Sequence, residues 1–549
     1  MSTTSTQSLL GHLTQLRSEK LNASLEILCG FLATAIKNNS ETYSPANQYE
    51  ILLHQADVNF KKKHFRIAES VYRQAINVRK NGLKQNQKNV SSFNKLPSEV
   101  DVKYKIHVCC HNNDDDHNAI SILESIPIKY RTVKINYALA QIHHKLGRKR
   151  SAILSYKDVL KKMPLALDVI FSLLSLGESI NEILSIVSNA AQGLDWFLPL
   201  IKARAFLHCK EYYNCYSHLN ILMKKTAIAG DAQVHCSLAK LRARTGNNKS
   251  AIVYFESARM NNPFLLDGMD IYAYLLYEED EHEKLDKVAC ELFSITCQHP
   301  APWVTLGYRA LSKGDYKRVV YLAVQATKLD PVCVQALILK GCALRAIDEI
   351  KDATAHFREA SRIDPNWFVC YKELAETQLQ NGRTNEAIAV AHSALNTIGY
   401  LTSCLVLCAS VHMCDQNGKD KALNYVNKAL VLEANNQYAI IVKANVLYKY
   451  EKYTEGIKFL SDTVEYFSSS PMHTILGNCY QEVKNYPKAV EHYTIALSLN
   501  SNNKEASEGL NKISNQQQDI NFESGSLDTG QQGVDAEEGN SDSDAMYTE

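Results

Sequence analysis

The sequence predicts an all-α fold in which pairs of helices stack along the chain. Helix-breaking residues are rare, since 22 Gly and 12 Pro make up 34 of 549 residues, about 6%, which is roughly half the usual share. A single compact core stops growing near ~250–300 residues, so a chain of 549 residues must form several domains or an elongated array. A repeat of about 34 residues favours the elongated array over several separate domains.

The repeat is clearest between residues 303 and 500. Small residues recur there at spacings of 34, 34, 34, 35 and 33, and they are Gly307, Gly341, Ala375, Ala409, Ala444 and Gly477. A small residue at this eighth position lets two helices approach closely, and an aromatic residue at the twenty-fourth position fills the space beside it. One helix pair cannot bury its apolar face alone, so neighbouring pairs must stack.

This pattern resembles the tetratricopeptide repeat (TPR) family. The resemblance implies an all-α, right-handed superhelical TPR solenoid. The N-terminal half carries the template in a weaker form, with recognisable units at residues 56–75, 139–164 and 238–263. We expect roughly 13 units between residues 49 and 501.

The register of the repeats divides the chain into four segments. Residues 1–45 are expected to form N-terminal helices that precede the repeats. The N-terminal TPR array covers residues 46–299, with a flexible polar insertion at 79–98, and the C-terminal TPR array covers residues 300–514. Residues 515–549 contain nine acidic residues and no Lys or Arg, which predicts a disordered acidic tail.

Charge and cysteine content narrow the class of protein. The net charge is +1, from 60 Lys and Arg against 59 Asp and Glu, which argues against a protein that binds mainly nucleic acid or a membrane surface. No apolar run indicates a transmembrane helix, and no basic leader indicates a signal peptide. The 15 Cys residues contain no CxxC pair, so we expect a reducing location, the nucleus and cytoplasm.

No residue pattern indicates catalysis, a metal or a cofactor. Motifs for phosphate loops, dinucleotide binding, serine hydrolases and zinc proteases do not occur in the sequence. Cys404, Cys408, His412 and Cys414 offer four soft zinc ligands, but their repeat positions belong to the buried stripe of a helix and favour core packing. The sequence therefore predicts a protein that is not an enzyme.

Three polar turns admit both a functional and a structural interpretation. Residues 111–117 resemble a cation site, yet they fall between two helices, where Asp and Asn cap the next helix. The acidic turn at residues 278–283 receives the same interpretation. The basic residues at 145–150 resemble a nuclear-import patch, but they also lie across a turn, which favours a solvated surface.

A stacked TPR array offers a groove lined by the first helix of each unit, where a peptide or a partner helix binds. The fifth and ninth positions of those helices are expected to face the groove. They are occupied by Val304, Tyr308, Ile338, Cys342, Lys372, Glu376, Val406, Ser410, Ile441, Asn445, Thr474 and Asn478. The apolar members suit a protein surface or a helix.

In chaperone-binding TPR proteins, a Lys and an Asn at these two positions grip a free carboxylate. Here Lys372 is followed by Glu376 instead of Asn, so the co-chaperone interpretation loses its main support. An independent TPR adaptor or co-chaperone that binds short linear peptides remains the alternative function.

Several segments outside the TPR template resemble the family of subunit 7 of the anaphase-promoting complex, over residues 46 to about 505. They are LPSEVDVKYKI (96–106), SYKDVLKKMPLALDVIFSLLSL (155–176), GMDIYAYLL (268–276), PWVTLGY (302–308), VQALILKGCALR (334–345) and HYTIALSLN (492–500). The resemblance implies a non-catalytic scaffold of a ubiquitin ligase that acts in mitosis and the cell cycle.

The same resemblance implies partners. Members of this family homodimerise through their N-terminal halves and stack on other TPR subunits, which points to residues 1–230 for self-association. The C-terminal groove would meet a neighbouring TPR subunit or substrate-recruiting coactivators. Phe60, Phe65 and Tyr72 are the dimer candidates, and packing within their own repeat is an equally good interpretation.

Overall fold

The computed structural model describes residues 3–19, 21–38, 43–85, 93–94, 96–415 and 417–525. Within these ranges it contains 29 α-helices, one short 3-10 helix and no strand. None of the helices so described is long and apolar enough to cross a membrane. The chain divides into two compact units, Met1–Ala227 (unit 1) and Ile228–Glu549 (unit 2).

Unit 1 begins with two helices that precede the repeats, and five helix pairs follow. The helices are α1 (Thr3–Ser18), α2 (Asn22–Asn38), α3 (Pro45–Lys61), α4 (Phe65–Gln85), α5 (Glu99–Asn112), α6 (Asp116–Glu124), α7 (Val133–Lys145), α8 (Lys149–Lys162), α9 (Leu167–Ser175), α10 (Ile180–Val187), α11 (Phe197–His208) and α12 (Tyr212–Lys225). The 3-10 helix, Ile128–Tyr130, lies between α6 and α7.

Unit 2 contains eight helix pairs and a final helix. The helices are α13 (Ala232–Arg244), α14 (Asn248–Asn261), α15 (Met269–Glu278), α16 (His282–Ile295), α17 (Pro300–Ser312), α18 (Tyr316–Leu329), α19 (Val334–Ala346), α20 (Ile350–Ile363), α21 (Phe368–Gln380), α22 (Thr384–Ile398), α23 (Thr402–Met413), α24 (Lys419–Leu432), α25 (Gln437–Lys449), α26 (Tyr453–Val464), α27 (Ser470–Glu482), α28 (Tyr486–Leu499) and α29 (Lys504–Gly525). Numbered along the chain, the pairs are repeat 1 (α3–α4) to repeat 13 (α27–α28), which agrees with the number expected from sequence.

The turns inside the repeats explain why each helix pair reverses so tightly. At the turn between α7 and α8, Gly147 has a φ of 70°, a left-handed conformation that glycine adopts without a steric penalty. The amide of Arg148 donates to the carbonyl of His143 at 2.9 Å. This bond satisfies a carbonyl at the helix end, as in a Schellman-type C-cap.

The apolar core of unit 2 does not divide at residue 300. Buried residues from Cys236 to Leu374 form one continuous cluster, because α17 packs against α15 and α16 before it and against α18 and α19 after it. The boundary predicted between residues 299 and 300 is therefore corrected to the junction between Ala227 and Ile228.

Two segments that the sequence predicts to be irregular are helical in their first residues. α4 continues to Gln85, so residues 79–85 of the predicted insertion are helical, and residues 86–92 and 95 lie outside the described residues. Phe93 is 1% exposed and its ring lies 5.8 Å from that of Tyr49. At the other end, α29 continues to Gly525, so the predicted tail loses its first residues to this helix, and 526–549 lie outside the described part of the chain.

We expect Ser98→Ala to loosen α5. Ser98 Oγ accepts a hydrogen bond from the Asp101 amide at 3.2 Å, and the Ser98 amide donates to Asp101 Oδ2 at 3.1 Å, which forms a capping box. Loss of such a cap costs about 1 kcal/mol, so hydrogen exchange of the α5 amides should become about fivefold faster. Ser257→Ala, in the middle of α14, is the control and should leave exchange unchanged. Equal rates in α5 for both variants would contradict the role of the cap.

Candidate partner-binding groove

Close packing within each repeat positions the inner helices of unit 2. A Cβ added to Gly341 on α19 would lie 2.6 Å from Phe357 Cε1 on α20, and one added to Gly477 on α27 would lie 2.6 Å from Tyr493 Cε1 on α28. The aromatic ring of the second helix thus lies against bare backbone of the first, as the repeat pattern predicts. This packing fixes the rotation of each first helix and so selects the side chains that face the neighbouring repeats.

Three of the predicted groove residues, Val304, Tyr308 and Ile338, are fully buried, each 0% exposed. α15 contacts both α17 and α19, so the first helices of repeats 7, 8 and 9 pack directly on one another. The Tyr308 ring lies 5.8 Å from that of Tyr274 on α15, and its hydroxyl donates to Gln335 Oε1 at 3.2 Å. These three residues form core, which corrects the expectation that they contact a partner.

A buried network of charged side chains occupies the next part of the inner surface. Arg345 Nη2 lies 2.6 Å from Glu373 Oε2, and Arg345 Nη1 lies 3.4 Å from Glu376 Oε2. Cys342 Sγ lies 3.5 Å from Glu373 Oε2. Burial, and secondly the charge of Glu373, raises the pKa of the Cys342 thiol and of the Glu376 carboxyl. The candidates Cys342 and Glu376 are therefore held within the protein's own network.

Lys372 forms an ion pair with Glu278 on α15. Burial disfavours the charged ammonium, but the carboxylates of Glu278, Glu373 and Glu376 outweigh burial and raise the pKa of Lys372. A chaperone-type clamp requires a lysine that is available to a C-terminal carboxylate. Because Glu278 already pairs with Lys372, the co-chaperone alternative is weakened further.

The groove candidate of repeat 13 is covered by another helix, whereas those of repeat 12 are partly open to solvent. Asn478 on α27 accepts a hydrogen bond from the Tyr493 hydroxyl at 2.6 Å and donates to Glu505 Oε1 at 2.9 Å. Glu505 lies on α29, so this last helix covers the groove position of repeat 13. Ile441 and Asn445 on α25 are half-buried, and each keeps part of its surface open to solvent.

A cavity of about 180 Å³ lies where the inner surface of repeats 10 to 12 faces repeats 6 and 7. Val406 and Ser410 on α23, both at predicted groove positions, line it together with Val442 on α25. Gly246, in the turn between α13 and α14, and Glu278 line the opposite side. The sequence thus predicted one wall of the cavity and missed the other.

The side of the cavity that the sequence did not predict, lined by Gly246 and Glu278, is held by contacts between residues far apart in the chain. Tyr438, 159 positions from its partner, donates to Glu279 Oε1 at 2.7 Å. Glu278 and Glu279 therefore bind distant side chains, which the interpretation of residues 278–283 as a capping turn did not include. Their clustering in the acidic turn at residues 278–283 was the one sequence signal, and it does not identify a partner.

The dimer candidates of unit 1 pack within repeat 1. Tyr72 is 0% exposed and its hydroxyl donates to Asp57, so it is unavailable to a second copy and is corrected to a core residue. The rings of Phe60 and Phe65 lie 5.7 Å apart in an edge-to-face contact across the α3–α4 turn. Both are half-buried, and this contact favours packing within the repeat.

Three members of the cysteine cluster of repeat 11, Cys404, Cys408 and His412, are buried, whereas Cys414 is exposed. Cys404 and Cys408 are both 0% exposed, and burial raises the pKa of their thiols to about 12 and about 11. The His412 ring stacks on that of Tyr425, and its Nε2 lies 3.3 Å from Nε2 of His392. Among the described residues, no group of three or more His, Cys, Asp or Glu side chains is arranged to hold a metal ion.

The polar turn at residues 111–117 serves as a helix cap and an ion pair. Asp115 Oδ1 accepts from the Asn118 amide at 3.2 Å and so caps α6. Asp116 Oδ1 lies 2.8 Å from His111 Nδ1, and its Oδ2 lies 2.8 Å from Lys145 Nζ. Lys145, a member of the basic group considered for nuclear import, is thus paired within unit 1.

Lowering the pH from about 7.5 to about 5.5 should destabilise repeat 13. His473 Nδ1 lies 3.1 Å from His492 Nδ1, and burial lowers the pKa of both rings. The unfolded chain therefore binds more protons below the ordinary histidine pKa of about 6.5. Stability should be complete above that pH and decrease below it, with a fall of about 2–4 °C in the midpoint of thermal unfolding for each kcal/mol lost.

The double variant His473→Gln/His492→Phe should reduce this pH dependence. His282→Gln is the matched control, because the His282 side chain is 53% exposed. An equal decrease in the thermal midpoint for wild type, double variant and control would contradict the contribution of the buried pair.

Comparison with known proteins places these features in a family. The model described as "Tetratricopeptide repeat" matches residues 133–161, which correspond to repeat 3. The human protein named anaphase-promoting complex subunit 7 is 36% identical over 548 residues, covering 96% of this chain and 97% of the human one. Anaphase-promoting complex subunit 3 of Schizosaccharomyces pombe is 24% identical over 297 residues, covering 53% of this chain and 43% of that one.

Among solved structures, the fold is similar to a chain of the crystal structure of the APC/C hetero-tetramer Cut9–Hcn1. The TM-score is 0.53 at 15% identity, and the match covers 93% of this chain and 96% of that chain. At this level of identity the likeness concerns the fold alone. The likeness to the human protein, by contrast, is one of sequence and extends along nearly the whole of both chains.

Proposed function

The chain belongs to the family of anaphase-promoting complex subunit 7, and we propose that it is a non-catalytic TPR scaffold subunit of that ubiquitin ligase. The observation that carries the proposal is the 36% identity with the human subunit over 96% of the chain. Stacked repeats with continuous cores provide an extended surface on which other subunits are held. In this role the chain supports cell-cycle-regulated ubiquitination while other subunits carry out the chemistry.

Self-association is the first part of the proposal, and we assign it to unit 1. Tyr72 is buried, so the contact requires other residues. α2 offers Ile27 and Phe31, which are one helical turn apart and are 60% and 71% exposed. Large apolar side chains placed together on a surface mark interaction sites more often than isolated ones.

The rest of this face of α2 supports the same proposal. Ala23, Ser24 and Thr34 are exposed beside Ile27 and Phe31, and none of them carries a charge. A symmetric dimer brings the same surface of both copies together, so an uncharged face is free of the like-charge repulsion that a charged one would meet there. We therefore propose that α2 lies in the homodimer interface.

Contact with other TPR subunits is the second part, and we assign it to the outer surface of unit 2. The inner positions of repeats 8 and 9 are filled by core residues, so a neighbouring subunit must use another face. Met260, Phe264 and Val431 are 82%, 72% and 85% exposed, and each lies at or near the end of a second helix. The inner surface of repeats 10 to 12 remains the place proposed for a coactivator segment.

Light scattering after size-exclusion chromatography tests self-association of the full chain. The chain has a mass of 61.7 kDa, and we expect twice that value for wild type. Ile27→Glu/Phe31→Glu should give the monomer mass, because a charged residue at an apolar contact is costly to bury. Met260→Glu/Val431→Glu, at more exposed apolar residues of unit 2, is the control and should remain dimeric. A monomeric wild type would contradict the dimer, and a dimeric α2 variant would contradict this interface.

We also propose that the protein occupies both the nucleus and the cytoplasm. The free thiols support a reducing environment, since all 15 Cys residues are unpaired. Imaging of the tagged endogenous protein through the cell cycle tests the proposal. A signal confined to a secretory or other membrane-enclosed compartment would contradict it.

A further inference from the structure

A set of polar and close backbone contacts joins repeats 6 and 7 to the region from the end of repeat 9 to repeat 12, across the inner surface of unit 2. We call this set the polar clasp, and it consists of Arg244–Asp364, Lys372–Glu278, Gly246–Ser403, Lys249–Gln437 and Tyr438–Glu279. The hydrogen-bonded pairs of the clasp join residues from 94 to 188 positions apart. They are therefore contacts of the folded array and do not belong to any single repeat.

The first part of the clasp is an ion pair at the end of α13. Arg244 Nη2 lies 2.7 Å from Asp364 Oδ2, and the guanidinium lies 5.4 Å from the centre of the Trp367 ring. The side chains of Arg244 and Asp364 are each 26% exposed. Solvent therefore reaches the pair and screens it.

The second part is the turn that follows α13. Gly246 has a φ of 81°, and a Cβ placed on it would lie 3.2 Å from Ser403 Cβ, so the turn reaches α23 because this residue has no side chain. Lys249 Nζ donates to Gln437 Oε1 at 3.0 Å. The turn thus spans from α23 to the start of α25.

The contacts of the clasp are mainly polar, whereas the core of the repeats beneath it is apolar. Cys404, Leu405 and Cys408 on α23 are buried among apolar residues of α21, α22, α24 and α25, so repeat 11 has its own core. What the clasp adds is polar and partly solvated, since the side chains of its two ion pairs are 22–28% exposed. The clasp can therefore separate without disrupting the cores of the repeats on either side.

With the clasp closed, the cavity beneath it has a volume of about 180 Å³, smaller than the ~300–1,000 Å³ of typical ligand pockets. We propose that the polar clasp is a reversible gate, which opens to expose more of the inner surface of repeats 10 to 12, including the half-buried Val406 and Ser410. The gate is an addition to the scaffold function, which does not require it.

Thiol labelling of Ser410→Cys in the full chain tests the gate. The labelling rate with N-ethylmaleimide is measured for each cysteine by mass spectrometry, at about 50 mM and about 1 M NaCl, because salt screens exposed ion pairs. The clasp variant adds Arg244→Gln, Lys249→Gln and Tyr438→Phe. The control variant adds Arg383→Gln, Lys452→Gln and Tyr466→Phe, which are exposed residues outside the clasp.

We expect the labelling rate at position 410 to be at least about fivefold higher in the clasp variant than in Ser410→Cys alone. In Ser410→Cys alone, the rate should be higher at about 1 M than at about 50 mM NaCl. Labelling of Cys414, which is exposed, should not change and reports on global unfolding. An unchanged rate at position 410 in the clasp variant would overturn the gate. If that variant does not fold, the salt series on Ser410→Cys alone decides, and a rate independent of salt would overturn the proposal.

Discussion

Arg345→Met is expected to destabilise unit 2 by about 3–5 kcal/mol, because it leaves the Glu373 carboxylate buried without its cation. The Glu373 side chain is 4% exposed, and Arg345 Nη2 lies 2.6 Å from it. The expected result is a large fall in the thermal midpoint and faster hydrogen exchange in α19 and α21.

Two further variants separate loss of the ion pair from loss of packing. Arg345→Met/Glu373→Met removes both charges and should recover most of the lost stability, since replacement of a whole buried ion pair by apolar residues is often neutral. Arg383→Met, which breaks the exposed pair with Glu386, should change stability by less than about 1 kcal/mol. A single variant as stable as wild type, or a double variant no better than the single one, would contradict the role of this pair.

Gly341→Ala should destabilise repeat 9 by about 1–3 kcal/mol through overpacking. The added Cβ would lie 2.6 Å from Phe357 Cε1, so the ring and α20 must shift. Alanine otherwise favours a helix over glycine by about 1 kcal/mol, so the expected loss is the clash minus that gain. Calorimetric unfolding of the full chain measures the net effect.

The matched control is Gly11→Ala on α1, where a Cβ would meet nothing within 4 Å. That change should stabilise the chain slightly. Phe357→Leu, introduced into Gly341→Ala, should recover part of the loss because it removes the clashing ring. If Gly341→Ala were as stable as the control, the pairing of a small residue with an aromatic ring would not determine how closely the two helices approach.

Local packing was predictable from the sequence, because the repeat period encodes it. The period placed Gly341 opposite Phe357, and the observed approach of the two helices follows from the missing side chain. Turn chemistry was predictable for a similar reason. Asp115 caps α6 as an Asp at that position should, since the interaction spans only three residues.

The curvature of unit 2 could not be predicted in the same way. Each repeat is rotated slightly against the next, and these small rotations add up over several repeats. Their sum decides that Tyr308 packs against Tyr274 and that Lys372 reaches Glu278. For this reason Val304, Tyr308 and Ile338, which the register places at groove positions, lie in the core of unit 2.

The dimer face proposed for unit 1 could not be predicted from the sequence for a different reason. Aromatic residues such as Tyr72 indicate either packing or contact with a second copy, and sequence alone does not distinguish these roles. Burial distinguishes them, because Tyr72 is 0% exposed and Phe31 is 71% exposed. The sequence does not show which apolar side chains of α2 are exposed, because residues on its packed side, such as Leu25 and Cys29, are apolar as well.

Purification of the tagged endogenous protein from dividing cells, followed by mass spectrometry of the intact particle, tests the scaffold function most directly. We expect one large particle that contains two copies of this chain, other TPR subunits and the cullin-like and ring-finger subunits of a ubiquitin ligase. Recovery of a free chain that carries only chaperones or assorted peptides would contradict the scaffold and favour an independent TPR adaptor.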